Sequence, residues 1–173
     1  LINELPLEQY LWGLSETSNN KAPEFQKALS VATRTYAYHH MQSGVQTGST
    51  SSSIKHKDRY FHVDATNDQV YQGMGREKSF PKFVAACMDT FGTVAYYGDQ
   101  IAVTPYFSQS QGITKLWSAV WGGKDQLRPW IKSVEATYDK GKKLLGHGVG
   151  IPLSDAQKRA TKEGLSYTEL LNY

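Results

Sequence analysis

Apolar residues recur at helical spacing in four stretches of the chain, and short extended runs separate them. Leu7, Tyr10, Leu11 and Leu14 share one face after Pro6, which predicts a short helix over 7–14. Pro23 predicts the start of the longest helix, at the first-turn position where its missing N–H leaves no bond unmade. Phe25, Ala28, Leu29, Ala32 and Tyr36 form the buried stripe of that helix, and Gly44 is its expected stop. Ser79 is the expected cap of another amphipathic helix carrying Phe80, Phe83, Val84, Cys87, Met88 and Phe91, ended by Gly92. Ser154-x-x-Gln157 and Ser166-x-x-Glu169 read as capping boxes of two final helices, with Gly164 between them. Residues 60–63, 69–71, 93–97, 100–107 and 130–137 read as short strands, and Gly98-Asp99 joins two of them as a hairpin. Residues 43–57, rich in Ser, Thr and Gly, read as a mobile surface loop, and 109–124 as a loop containing Gly and Trp. The order helix, strands, helix, strands, helix predicts an α+β fold.

Composition narrows the class. At 173 residues the chain suits one domain, or two small lobes sharing a core. Eleven tyrosines and four tryptophans carry much of the apolar load, each packing a flat face while keeping a polar tip wet. A formal net charge of +3 is too small to imply nucleic acid. The single cysteine, Cys87, excludes an intrachain disulfide and a Cys-cluster zinc site, and its apolar helix face argues for a buried, inert thiol. There is no apolar run long enough to span a membrane and no basic-then-apolar leader. The start at Leu1 reads as a domain excised from a longer exported protein, or as a processed product.

Most familiar chemistries find no support. There is no phosphate-binding loop and no dinucleotide fingerprint, and Gly146-His-Gly-Val-Gly150 lacks the strand–helix frame of either. The five histidines do not form the helical zinc pattern, and His39 and His40 read as partners of a helix C-terminus. No nucleophile elbow accompanies Ser108, Ser110 and His147. Glu16 stands apart, in a polar loop facing the start of the long helix. The positive end of that helix would lower its pKa, and aromatic cover from Trp12 would raise it and make a general acid. A solvated loop acid or cap is the plainer alternative.

Six ordered motifs resemble the SpoIID/LytB domain of bacterial cell-wall and sporulation proteins. They are Leu5-Pro-Leu-Glu-Gln-Tyr-Leu-Trp-Gly13 followed by Glu16, the helix run Lys27 to Ala37, Asp64 to Gly73, and Tyr106-Phe-Ser108 with Gln111-Gly112. Trp121-Gly-Gly123 with Pro129 to Val134, and Gly146-His-Gly-Val-Gly150, complete the set. The resemblance covers the chain from Asn3 to its end. It implies mixed helices and antiparallel strands in a single domain, with two lobes flanking a glycan-binding groove. It also implies a lytic transglycosylase, which cuts peptidoglycan between N-acetylmuramic acid and N-acetylglucosamine and leaves an anhydro-muramic end.

In that family pattern the catalytic glutamate falls on Glu16, the helix arginine on Arg34 and a basic position on Lys132. Trp12, Tyr106, Ser108, Gln111, Trp121, Trp130 and His147 are the implied substrate contacts. The aromatics among them stack on sugars or pack in the core, and His147 donates to sugar or holds a tight turn. No cofactor and no metal is implied, because Val63, Asn67 and Asp68 stand where zinc-bearing members carry Cys and His. The segment Ile151 to Ala156 departs from the family's usual continuation, and Trp130 replaces a tyrosine. The implied partners are peptidoglycan glycan strands, in an extracytoplasmic setting. A second reading is a non-catalytic wall-binding module that stimulates an amidase. Glu16, Arg34 and Lys132 are expected to converge in one groove.

Overall fold

A computed structural model describes residues 2–46 and 60–173. Most of the expected loop 43–57 lies outside the described residues. Helix α1 (Leu7–Trp12) leads through a polar turn into α2 (Pro23–Gln46). The short α3 (Arg76–Ser79) and α4 (Pro81–Asp89) follow, then strands β1 (Tyr96–Tyr97), β2 (Gln100–Ile101) and β3 (Tyr106–Phe107). A single turn, α5 (Ser118–Trp121), precedes β4 (Ile151–Pro152), α6 (Leu153–Lys162) and α7 (Tyr167–Asn172).

The α+β character stands, weighted toward helix. β1 and β2 form the expected antiparallel hairpin, and β3 pairs in parallel with β4. The expected strands at 69–71 and 130–137 reduce to isolated bridges, Leu14 with Tyr71 and Ile113 with Glu135, and 60–63 forms none. Their backbone partners come from distant loops and not from a continuous sheet, so alternation in the sequence found no ladder to join.

Several helix boundaries differ from expectation: α1 ends at Trp12 and α4 at Asp89, each short of its expected end. α2 passes through Gly44, so His39 and His40 stand a full turn or more before its end and not at its C-terminal dipole. Ser79 closes α3, and α4 begins at Pro81 with Phe80 before it. At α6 the residue before the helix is Pro152, and the Gln157 side chain accepts from the Ala22 N–H at 3.0 Å instead of closing a capping box. The second box is formed, with Ser166 and Glu169 bonding reciprocally.

The core has two centres. Leu11, Leu14, Phe25, Ala28, Leu29, Phe83, Cys87, Ala156 and Leu170 bury the facing sides of α1, α2, α4, α6 and α7. Val103, Ile131 and Val149 form a smaller cluster, with Tyr36, Trp117, Val120 and Trp130 against it. The glycine-rich 146–150 turn lies against the Pro105–Phe107 segment. A Cβ on Gly150 would stand 2.0 Å from the Pro105 carbonyl oxygen, and its φ of +77° is one that L side chains avoid.

Candidate active site

Glu16 is held where two distant loops zip together. The Ser15 N–H donates to the Val70 carbonyl at 2.8 Å, and the Gln72 N–H donates to the Gly13 carbonyl at 2.9 Å. That short antiparallel contact presents the Val70 N–H to Glu16 Oε1 at 2.7 Å. The close approach needs Gly13, since a Cβ there would stand 2.2 Å from the Tyr71 ring, which in turn stacks on Tyr10. The Tyr106 hydroxyl, held by Gln69 Nε2 at 3.1 Å, is close enough to interact electrostatically with the Glu16 carboxyl. Burial raises the Glu16 pKa above its ordinary value, and the Val70 N–H and the nearby Tyr106 hydroxyl pull the other way without cancelling it. Of the two opposed expectations for this carboxyl, the raised direction holds.

Behind Tyr106 lies Gln69, only 2% exposed. Its Nε2 reaches the Tyr106 hydroxyl at 3.1 Å and the Thr33 carbonyl at 3.1 Å, while its Oε1 accepts from the Tyr10 hydroxyl at 2.9 Å. Arg76 reaches the same loop through a 2.6 Å bond to the Ser15 hydroxyl and lies over the Phe80 ring. Sequence reasoning missed Gln69, Val70, Tyr10 and Arg76 as parts of the site. The run Asp64 to Gly73, which contains Gln69 and Val70, was the available signal.

Arg34 is elsewhere. Its guanidinium is 1% exposed and grips Glu8 with two bonds, Nε to Oε1 at 2.7 Å and Nη2 to Oε2 at 2.9 Å. Nη2 also donates to the Cys87 carbonyl at 3.0 Å, and Nη1 to the Thr93 carbonyl at 3.1 Å and Thr90 Oγ1 at 3.3 Å. All five donors are therefore used, and none is left for Glu16 or a sugar. The expected partnership of Arg34 with Glu16 is corrected: the arginine ties α1 and the end of α4 to α2.

His147 is likewise engaged on both ring nitrogens. Nδ1 accepts from the Val149 N–H at 3.1 Å, so Nε2 carries the proton and donates to the Tyr106 carbonyl at 3.1 Å. Burial lowers its pKa, in keeping with this neutral tautomer. Its role is to hold the glycine turn and the Tyr106 backbone, and no ring nitrogen remains to donate to sugar. One face of the ring meets Trp121, centroids 4.8 Å apart, and Trp121 packs on Trp117 at 4.4 Å. Trp121 is 45% exposed, so it offers open aromatic surface beside the Tyr106 segment.

Among the described residues, no hydrogen bond or ion pair links Lys132 or Trp130 to Glu16. They line a cavity of about 470 Å³ with Tyr97, Val103 and Ile131, where the Trp130 indole N–H donates to the Val103 carbonyl at 2.9 Å. A second cavity of about 700 Å³ lies between residues 2–7 and 60–65, with Tyr10 and Tyr71 in its wall. Glu16 lines neither. Trp12 packs half-buried on the larger core. Ser108 is exposed and its carbonyl accepts from the Ser154 N–H at 3.0 Å, and Gln111 is exposed in its loop. Among the described residues, no group of three His, Cys, Asp or Glu side chains could hold a metal ion, and no helix is long and apolar enough to cross a membrane.

Glu16 is thus a half-buried carboxyl, anchored by the Val70 N–H and raised in pKa by burial, in a small α+β domain. Over residues 1–97 the chain matches the Stage II sporulation protein family, SpoIID, and it belongs to that family. Membership implies a peptidoglycan-related role in sporulation or the cell wall, in a family whose members include lytic transglycosylases. The matched region contains Glu16, Arg34 and Gln69, while Tyr106, Trp121, Lys132 and His147 lie beyond it. No curated protein matches the chain.

Proposed function

We propose that this domain is a peptidoglycan lytic transglycosylase, with Glu16 as its single acid and base. The observation that carries the reading is the setting of Glu16: half-buried, anchored by the Val70 N–H and raised in pKa by burial. A glycosidic bond breaks through an oxocarbenium-like state and needs a proton on the leaving oxygen. Protonated Glu16 supplies it. The muramic residue's own C6 hydroxyl then attacks the anomeric carbon, and the Glu16 carboxylate takes that hydroxyl's proton. The ring closes as an anhydro sugar, the carboxyl is regenerated, and no water is consumed. One acid therefore suffices, where a hydrolase needs two carboxyl groups.

Of the aromatics implied as sugar contacts, Trp121 is the exposed one, which suits stacking on a sugar face. Peptide-free glycan strands are the proposed substrate, which puts the work outside the cytoplasm. The test is mass spectrometry of such strands after incubation with native protein and with Glu16→Gln. Anhydro-muramic ends from the native protein alone are the expected result. Equal product from both removes Glu16 from the mechanism. Binding without product from either favours the wall-binding module that acts with an amidase.

A further inference from the structure

The aromatic row beyond His147 ends in a cation that has no anion. The Ser118 N–H donates to Asp125 at 2.9 Å and the Ser118 hydroxyl at 2.6 Å, which ties the start of α5 to the turn Asp125–Leu127. The Arg128 N–H closes that turn on the Asp125 carbonyl at 2.8 Å. Arg128 is thereby laid over Trp117, its guanidinium carbon 4.0 Å from the ring centroid. Among the described residues its guanidinium makes no hydrogen bond and no ion pair. The nearest acid in sequence, Asp125, is spent on Ser118. Burial, and after it the Arg128 charge, lower the His39 pKa, so the fold sets this cation near another base.

A guanidinium stacked on an indole is pre-oriented: one flat face is covered and the edge that carries its N–H donors stays open. Trp117 continues into Trp121, centroids 4.4 Å apart, and Trp121 into His147 at 4.8 Å. His147 joins the row to the Tyr106 carbonyl at 3.1 Å, and the Tyr106 hydroxyl neighbours Glu16. The row therefore sets in order a donor fork, two indoles and the segment beside the acid. Such a row suits an acidic sugar, whose C–H face meets an indole and whose carboxylate meets the fork.

We propose that Arg128 is a specificity residue: stacked on Trp117, it receives the lactyl carboxylate of a peptide-free muramoyl residue in a strand resting on Trp121. The inference rests on the glycan reading of the Glu16 site and deepens it. A stem peptide is joined to the muramoyl lactyl group as an amide, which carries no charge at that point. Without the peptide, every second sugar of the strand bears a carboxylate, and a carboxylate matches the guanidinium fork with two parallel bonds. A strand of N-acetylglucosamine alone offers the same apolar faces and no anion. The indoles thus hold either strand, and Arg128 tells them apart.

The experiment titrates tryptophan fluorescence of the Glu16→Gln chain with two tetrasaccharides of equal length. One is peptide-free and alternates N-acetylglucosamine with N-acetylmuramic acid; the other is N-acetylglucosamine throughout. The muramoyl sugar is expected to bind about tenfold more tightly. Adding Arg128→Gln is expected to abolish that preference and to leave the affinity for the all-glucosamine sugar unchanged. Equal affinity for the two sugars before that change, or no binding of either, overturns the proposal. So does an equal loss of both in Arg128→Gln, because the arginine would then only support the Trp117 ring. Should Arg128→Gln not fold, the muramoyl sugar with its carboxylates capped as methyl amides decides: it is expected to bind about tenfold more weakly than the free acid, and equal binding overturns the proposal. Carboxylate preference in a protein whose native form yields no anhydro ends leaves the Arg128 assignment standing and sinks the transglycosylase reading. Anhydro ends from a protein with no such preference do the reverse.

Discussion

Replacing Arg34 with methionine separates a structural arginine from a catalytic one. The guanidinium is 1% exposed, and Glu8 retains 14% exposure of its side chain. Removal of the arginine strands the Glu8 carboxylate with the Gly92 N–H at 3.2 Å as its remaining protein donor. It also strands the Cys87 and Thr93 carbonyls. Breaking a buried pair from one side costs about 3–5 kcal/mol. In a domain of this size each kcal/mol moves the midpoint by about 2–4 °C, so a loss near 4 kcal/mol lowers Tm by roughly 8–16 °C. Urea unfolding followed by tryptophan fluorescence measures the loss directly. The double variant Glu8→Leu/Arg34→Met removes the stranded charge and is expected to recover about 2 kcal/mol or more of it. The reasoning is refuted if Arg34→Met unfolds at the native urea concentration while glycan cleavage disappears. Arg34 would then act on substrate and not as a strut.

Three further outcomes are expected. Because burial raises the Glu16 pKa above 4.5, this group favours the folded state fully below that pH, and the benefit fades as pH rises through the folded value. Glu16→Gln should therefore be more stable than the native protein at pH 7 and indistinguishable from it at pH 3, as thermal unfolding at the two pH values would show. Gly13→Ala puts a methyl 2.2 Å from the Tyr71 ring and should cost about 1–3 kcal/mol in denaturant unfolding. Gly150→Ala meets backbone instead of a ring edge, so soluble yield should fall further. The Cys87 thiol is fully buried with its pKa pushed up to about 12, so a disulfide reagent should leave it unlabelled until the protein is unfolded.

The helices were legible because their signals are local. Pro23 starts α2, the apolar stripe of Phe25, Ala28 and Leu29 is buried, and Ser166 with Glu169 closes its box. The strands were overread, since Tyr71 and Ile113 found single bridges in distant loops. At the site, sequence singled out Glu16, which the fold anchors through the Val70 N–H, and Tyr106, whose hydroxyl meets Gln69. It could not foresee that Glu8 would claim Arg34, because a pairing across 26 residues depends on how α1 docks on α2. It also passed over Gln69, whose importance lies in having three partners at once, and no motif spacing encodes that.

The contacts that equip Glu16 reach far along the chain. Val70 follows it by 54 residues, Tyr106 by 90, and the Tyr106 clamp comes from His147, a further 41 on. Loops this long close late in folding. A nascent or truncated chain ending at residue 97 would carry the glutamate, its Val70 tether and Gln69, yet neither the tyrosine nor the histidine. Its carboxyl would lack the neighbouring Tyr106 hydroxyl. The surroundings of Glu16 are thus completed only by residues beyond 97, and a chain ending there would present the same carboxyl in a different setting.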